Sequence, residues 1–415
     1  MKKFSKIAAS LAFLSVGVSA GALHAQTAEV LHWWTSGSEQ AAIGEIRKAF
    51  EANGGTWVDT PIAGGGNARA AAVNRMLGGD PAAVFQFSIG QQLRELADQG
   101  LLANVGEVAT AENWDEKLPP LIVKAAKYDG NYIAAPINIH GENWMFYNTS
   151  VLEKSGIEVP KTWDDFIAAA EKLKAAGITP IGLGGQPWQE RIMFNSVLLG
   201  VAGREFYAEL YSTLDDELLK SDTMRKVFET FGALKPFVDE ASPGRNWNEA
   251  TNMVAKGEAA FQFMGDWAKG EIIAGGIEPG TTVGCAFAPA IDTAYIMTVD
   301  AFAFSAMDGD EDATPAQTLM AQVMLEPDVQ IAFNKKKGSI PARLDVPADS
   351  FDVCAQTAIN TLQDKKTHLV STGLFGVPSA VSGAIDDSIS NFWNSADMSP
   401  EEGQAQFQQA ISYAK

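Results

Sequence analysis

A tryptophan that directly follows a short apolar segment is the first feature of this sequence that could bind a small molecule. Residues 259–264 are apolar, rich in Phe and bounded by glycines, which predicts a buried strand. Gly265 and Asp266 end this strand, and Trp267 stands where a helix would begin. In open α/β sheets, ligands bind beyond the carboxyl ends of the strands. Trp267 is therefore a candidate platform for a ligand.

Three further tryptophans support an aromatic binding site. Trp247 lies in a short polar segment before the predicted strand, and Trp33 and Trp34 follow the first predicted strand, near residue 30. A single tryptophan at a strand end is more often a core residue than a ligand platform. The shared placement of these tryptophans, in loops and at strand ends, favours ligand binding.

Other chemistries find little support in the residue types and their spacing. His32, His140 and His368 are not spaced with one another or with a cysteine as a metal site requires, so no metal and no cofactor are predicted. The glycines at 64–66 lack the lysine and hydroxyl of a phosphate-binding loop. A formal net charge of −20 argues against partners such as nucleic acid and anionic membrane surfaces.

The first 25 residues have the composition of a Sec-type signal peptide. Lysines at positions 2, 3 and 6 precede an apolar run that is too short to span a membrane, and 23–25 form a plausible cleavage site. With no cysteine near that site, we expect a soluble periplasmic protein without a lipid anchor. Cys285 and Cys354 are the two cysteines, and an even pair in an exported protein predicts one structural disulfide.

The remaining chain alternates predicted strands and helices, which indicates an α/β fold. We predict a helix over 39–52 capped by Ser38, strands over 56–62 and 83–87 with a helix over 68–77 between them, and a helix over 319–333. From residue 351 onward the chain is predicted to be mostly helical. Extended segments around 128–140 and 289–303 are candidate crossovers between two lobes, and Lys335 and Lys336 are assigned to a solvated face.

Eight short motifs, in this order, resemble those of the periplasmic glucose/mannose-type sugar-binding proteins of ABC importers. They are Leu31-His-Trp-Trp-Thr-Ser-Gly, Ala63-Gly-Gly-Gly, Lys127-Tyr-Asp-Gly, Pro136-Ile-Asn-Ile-His140, Gly184-Gly-Gln-Pro-Trp-Gln189, Gly244-Arg-Asn-Trp-Asn248, Gln262-Phe-Met-Gly-Asp-Trp-Ala-Lys269 and Lys337-Gly-Ser-Ile-Pro-Ala-Arg343. The resemblance covers essentially the whole chain after the signal peptide, and the two cysteines resemble the disulfide pair of that family.

The resemblance implies an α/β, two-lobed periplasmic-binding-protein fold of type II, with the ligand cleft between lobes joined by crossover strands. The N-terminal lobe would comprise 26–136 plus about 292–345, and the C-terminal lobe 137–291 plus about 346–415. The protein would be a monomer whose partners are a sugar or polyol and the permease subunits of an ABC importer.

The same resemblance implies a set of ligand-binding residues. Carboxylates would accept hydrogen bonds from sugar hydroxyls, while Lys337 and Gln86 would donate to them, and aromatic rings would cover the apolar faces of the sugar. The implied residues are Trp33, Trp34, Glu39, Gln86, Ser88, Asn138, His140, Trp247, Trp267, Asp300, Lys337 and Thr372.

Two positions depart from the pattern of this family. Many relatives carry a Lys or His where this chain has Ser88, and many carry Ala-His-Gly where it has Ser371-Thr-Gly373. Two long donors are thus replaced by short hydroxyls, which predicts a roomier site and places glucose itself in doubt as the ligand.

The alternative from another class is an exported carbohydrate-active enzyme such as a glycosidase. That chemistry needs two carboxylates on opposite sides of the scissile bond, and Glu39 and Asp300 are the candidates. Tryptophan platforms occur in both classes, so they do not distinguish a sugar-binding protein from a glycosidase. A role in presenting the ligand to a chemoreceptor is compatible with transport.

Overall fold

Residues 26–136 build most of a five-stranded sheet, the first sheet. The computed structural model describes residues 26–291, 294–307, 312–364, 368–371 and 376–415, so the signal peptide and Thr372 lie outside the described residues. The elements of this part are β1 (Gln26–His32), α1 (Gly37–Ala52), β2 (Gly55–Pro61), α2 (Gly65–Leu77), β3 (Val84–Ser88), α3 (Gln91–Ala97), α4 (Gly106–Ala111), α5 (Trp114–Lys117), α6 (Pro120–Ala126), β4 (Lys127–Tyr128), β5 (Asn131–Tyr132) and β6 (Ala134–Pro136).

The middle of the chain builds a second sheet and the first strand of a third. Its elements are β7 (Asn138–Gly141), β8 (Trp144–Asn148), α7 (Thr149–Ser155), α8 (Trp163–Ala175), β9 (Thr179–Ile181), α9 (Pro187–Thr213), α10 (Asp216–Lys220), α11 (Asp222–Ala233), α12 (Trp247–Lys256), β10 (Ala259–Met264), α13 (Ala268–Ala274) and β11 (Val283–Phe287). The second sheet has the order β11-β8-β10-β9.

The last part of the chain adds one strand to the first sheet and completes the third. Its elements are β12 (Ala294–Thr298), β13 (Asp300–Phe304), α14 (Pro315–Met324), α15 (Pro327–Lys337), β14 (Ile340–Pro341), α16 (Val353–Gln363), β15 (His368–Ser371), α17 (Ser379–Asn394) and α18 (Pro400–Ala414), with short 3-10 helices at Lys235–Phe237 and Ala348–Ser350. The first sheet has the order β2-β1-β3-β13-β6, and the third sheet, the joining sheet, has the order β14-β7-β12-β15.

The joining sheet is continuous in sequence with the first sheet at two places. A single residue, Ile137, separates β6 from β7, and a single residue, Val299, separates β12 from β13. The two crossings are hydrogen-bonded to each other, because the N–H of Ile137 donates to the carbonyl of Asp300 at 3.0 Å. Both crossings fall within the extended segments that the sequence marks as crossovers.

Two apolar clusters form the core: one surrounds the first sheet and extends to residues of the second such as Phe146 and Met264, and the other packs against the second sheet. Helices α1, α14 and α15 pack with the first sheet or with one another, whereas α9, α11, α17 and α18 pack together beside the second. Val30, Leu31, Val84 and Phe85 are fully buried in neighbouring strands of the first sheet, as expected for parallel strands covered on both faces. The predicted α/β fold class is confirmed.

Three local predictions differ from the structure. Ser36, not Ser38, caps α1: its hydroxyl accepts from the N–H of Glu39, and Ser38 instead donates to Glu271 at 2.5 Å. The helix predicted over 319–333 is two helices, because Pro327 cannot continue the hydrogen-bonding of α14 and begins α15 instead. A strand, β15, lies in the region that was predicted to be mostly helical.

Candidate functional site

A buried histidine lies at the centre of the candidate site, on strand β7 of the joining sheet. Nδ1 of His140 contacts the carboxylate of Asp266, and Nε2 lies 3.3 Å from Oδ2 of Asp300. Burial alone would lower the pKa of His140, but the charge of Asp266 and the hydrogen bonds with both carboxylates outweigh it, and the pKa is raised. The imidazole therefore links β7, the end of β10 and the start of β13.

Two of the other predicted residues complete this network. The Oδ1 atom of Asn138 accepts from the N–H of Asp300 at 3.1 Å, and its amide nitrogen lies 3.0 Å from Nε2 of His140. Burial would raise the pKa of Asp300, but the hydrogen bond and the charge of His140 lower it, so the carboxylate stays ionised. An ionised carboxylate is the form that accepts hydrogen bonds from hydroxyls.

Lys337, the last residue of α15, lies between two tryptophans. Its Nζ is 5.7 Å from the ring centroid of Trp34 and 5.7 Å from that of Trp267, and it is 3.4 Å from Oε1 of Glu39. The other carboxylate oxygen of Glu39 accepts from the N–H groups of Thr35 and Ser36 at 3.1 Å each. Glu39 thus caps α1 and holds Lys337 with the same carboxylate.

The ten tryptophans divide sharply by exposure. Trp34 is fully buried against Phe302 and Phe333, with ring centroids 5.6 and 5.0 Å away, so it belongs to the core and not to an open binding face. The assignment of Trp34 as a ligand contact stays a prediction. Of all ten, only four are partly rather than fully buried: Trp33, Trp188, Trp247 and Trp267.

Trp188 is a candidate site residue that the sequence analysis did not include. It begins α9, and its ring centroid is 6.1 Å from that of Trp267, which itself meets the ring of His140 edge-on at 4.9 Å. The signal was present, because Trp188 follows strand β9 through a short Gly-rich loop, just as Trp267 follows β10. Trp247 begins α12, and its carbonyl accepts from Nε2 of Gln262 at 3.2 Å.

Buried glutamines supply hydrogen-bonding atoms that no described residue satisfies. Oε1 of Gln86 accepts from the N–H of Trp33 at 3.0 Å, while its Nε2 is buried without a partner among the described residues. The same holds for Oε1 of Gln262. Unsatisfied buried polar atoms are costly, so both atoms are candidates for ligand contacts. Ser88, two residues after Gln86, lies directly opposite Asp300 in the pairing of β3 with β13.

A second buried charge cluster adjoins the network and was not predicted. Arg191 on α9 donates from Nε to Asp386 on α17 at 2.6 Å, and its Nη1 lies 3.6 Å from Oε2 of Glu142. Burial raises the pKa of Glu142 to about 7, although the charges of Arg191 and His140 lower it. The hydroxyl of Tyr207 and the amide nitrogen of Asn195, in the same helix as Arg191, are buried without partners in the described part of the chain.

Glu142→Gln should make stability less dependent on pH. The pKa of Glu142 is raised from 4.5 to about 7, so its contribution is fully present below pH 4.5 and is lost as pH rises through 7. We expect the wild-type free energy of unfolding to fall by on the order of 2 kcal/mol more than that of the variant across this window. Urea unfolding from pH 4.5 to 8 measures this, with the exposed Glu51→Gln as control, and equal pH slopes would contradict it.

The predicted disulfide is confirmed. Cys285 on β11 is bonded to Cys354 on α16, with 69 residues of sequence separation and Cα atoms 6.2 Å apart. Within the described residues there is no group of three or more His, Cys, Asp or Glu side chains that could hold a metal ion. No helix in the described ranges is long and apolar enough to cross a membrane.

The chain is a member of the bacterial extracellular solute-binding protein family, whose sequence pattern matches residues 34–330. It is 41% identical over 403 residues to a probable sugar-binding periplasmic protein of Brucella melitensis biotype 1, covering 95% of this chain and 94% of the relative. A protein of the same description from Rhizobium meliloti is 39% identical over 422 residues, covering 100% of both chains. Among solved structures, a chitin oligosaccharide binding protein matches with a TM-score of 0.81 and 20% identity, covering 94% of this chain and 98% of that one.

Proposed function

We propose that the protein captures a mono- or small oligosaccharide in the periplasm and delivers it to the membrane permease of an ABC importer. The observation that carries this proposal is the division of the tryptophans. Those that are only partly buried, such as Trp188 and Trp267, stand beside charged and amide side chains near strand ends. Such a pairing of apolar platforms with convergent polar groups matches a sugar, which has apolar CH faces and a rim of hydroxyls.

The cleft lies between two lobes that move about the joining sheet. This proposal is supported by the two single-residue crossings, at Ile137 and Val299. The lobes would comprise 26–136 with about 292–345, and 137–291 with about 346–415. His140 lies on β7, Asp300 begins β13 and Lys337 ends α15. All three are close in sequence to the boundaries of these ranges.

Export through the signal peptide at 1–25, without a lipid anchor, places the protein in the periplasm. The descriptions of the Brucella and Rhizobium relatives as periplasmic support this placement. The excess of acidic residues supports a monomer that does not bind nucleic acid. The sugar is a small neutral solute, and no cofactor takes part in its capture.

An exported glycosidase is the alternative. The pKa shifts and the hydrogen-bond partners of its candidate carboxylates do not favour it. A glycosidase needs one carboxyl with a raised pKa as general acid beside an ionised partner. The pKa of Asp300 is lowered, and Glu39 is engaged by two backbone N–H groups and by Lys337. Glu142 has the raised pKa, but it is buried against Arg191.

The purified protein should gain thermal stability with one or a few sugars, because a ligand that binds only the native state raises the melting temperature. Aldohexoses, aldopentoses, disaccharides and polyols form the screen, and a saturating ligand at 100 times its Kd adds about 2.7 kcal/mol of stability. If no sugar or polyol shifts the melting temperature, the proposal fails. If aryl glycosides or oligosaccharides are turned over, the enzyme alternative replaces it.

A further inference from the structure

Arg69, on helix α2, is a charged donor that none of the motifs singled out. Its guanidinium lies over the ring of Trp33, 5.5 Å from the ring centroid. A Cβ placed on Gly65 would be 3.6 Å from the Trp33 ring and 3.7 Å from Nη1 of Arg69, so the glycine loop, the ring and the guanidinium are packed together. Because the N–H of Trp33 donates to Gln86, Arg69 stands beside the strand that ends at Ser88.

The charges that act on Arg69 are those of Arg191, Asp386 and Asp300. The pKa of Arg69 is lowered, mainly by burial and also by the charge of Arg191. The charges of Asp386 and Asp300 act in the opposite direction. Asp386 already pairs with Arg191 at 2.6 Å, and Asp300 already contacts His140 at 3.3 Å. No carboxylate among the described residues forms an ion pair with Arg69, which leaves its donors available.

Arg69 is a long donor whose charge interacts with the carboxylate that faces Ser88, the position where this chain has only a short hydroxyl. Ser88 stands opposite Asp300 in the first sheet, and the charge of Asp300 acts on Arg69. A serine hydroxyl at this position cannot extend into a cleft, whereas a guanidinium on the neighbouring helix can.

We propose that Arg69 is a specificity-determining residue that binds two adjacent hydroxyls of a neutral sugar, in the space that Ser88 leaves open. This inference rests on the proposed function and names the part of the ligand that is recognised. The planar guanidinium presents paired N–H groups that match two neighbouring oxygens, and the ring of Trp33 holds the plane in place. A uronate would also offer two oxygens, but the carboxylates of Asp300 and Asp386 act in the same region and oppose a further anion.

Isothermal titration of wild type, Arg69→Gln and Arg69→Lys tests this contact. The probes are glucose, galactose, mannose and xylose, the monodeoxy derivatives of whichever binds best, and glucuronate and galacturonate. We expect Arg69→Gln to raise Kd roughly 10- to 100-fold, as for loss of a charged hydrogen bond, and Arg69→Lys to raise it less. Two monodeoxy derivatives, each lacking one of two adjacent hydroxyls, should bind the wild type more weakly than the parent sugar does. Arg69→Gln should bind these two derivatives and the parent sugar with nearly equal affinity.

Arg47→Gln, on exposed helix α1, is the matched control and should leave Kd unchanged. The inference is overturned if Arg69→Gln changes Kd less than about twofold. It is also overturned if every deoxy derivative loses the same factor in both proteins, since Arg69 would then only position Trp33, or if a uronate binds tighter than its neutral parent sugar. If no sugar binds the wild type, the proposed function fails together with this inference, whereas sugar binding that ignores Arg69 removes this inference alone. Melting curves without ligand establish that each variant is folded.

Discussion

Double replacement of Cys285 and Cys354 by alanine should lower the free energy of unfolding by about 2 to 5 kcal/mol. The disulfide closes a segment with 69 residues of sequence separation and joins an edge strand of the second sheet to helix α16. A cross-link of this kind restricts the unfolded chain, and longer loops are restricted more. Alanine avoids placing a hydroxyl at Cys354, which is fully buried.

Denaturant unfolding of the wild type with and without reductant, and of the double variant, measures this effect. The reduced wild type and the double variant should agree, and both should be less stable than the oxidised protein. Mass spectrometry of the exported protein should find no free thiol. Two free thiols, or equal midpoints for all three samples, would show that the disulfide does not stabilise the native protein.

Trp267→Ala should weaken sugar binding by at least about 2 kcal/mol, roughly 30-fold in Kd, as for other aromatic anchors at binding sites. Its ring is partly buried and contacts the rings of His140 and Trp188, with Nζ of Lys337 5.7 Å from its centroid. Removing it takes away the platform and also uncovers this lysine. The cost to stability should be smaller, because the ring is not enclosed by the core.

Calorimetric titration with the sugar identified by the thermal screen gives the affinity of each variant. Trp267→Phe should retain part of the binding, since a smaller ring still covers a CH face. Trp393→Phe, on helix α17 beside Phe231, is a conservative change away from the site and should bind like the wild type. Unchanged affinity in Trp267→Ala would place this residue outside the site.

The elements that the sequence predicted well are those specified by local signals. The turn at Asp129 and Gly130, where both residues have positive φ, joins β4 and β5 as the Tyr-Asp-Gly-Asn pattern predicts. Trp267 stands at the start of α13 because Gly265 and Asp266 end a fully buried strand. The cysteine pair could be predicted because export and an even count leave one pairing.

The parts that could not be predicted depend on contacts between distant residues. The sequence predicted Asp266 only as the end of a strand, yet its carboxylate contacts His140, 126 positions earlier in the chain. Trp33 and Trp34 are adjacent in a turn, and only packing against Phe302 and Phe333 decides which ring is enclosed. Glu142, Arg191 and Asp386 lie on separate elements, and nothing in their local sequence indicates that they meet.

The position of β13 in the first sheet limits how this chain can fold during synthesis and export. Residues 300–304 lie between β3 and β6, pairing antiparallel with both, although β3 and β6 are complete by residue 136. Until β13 arrives, facing edges of β3 and β6 have no partner in this sheet, and unpaired edges recruit wrong strands. The first sheet therefore closes late in synthesis, a long-range step of the kind that folds slowly.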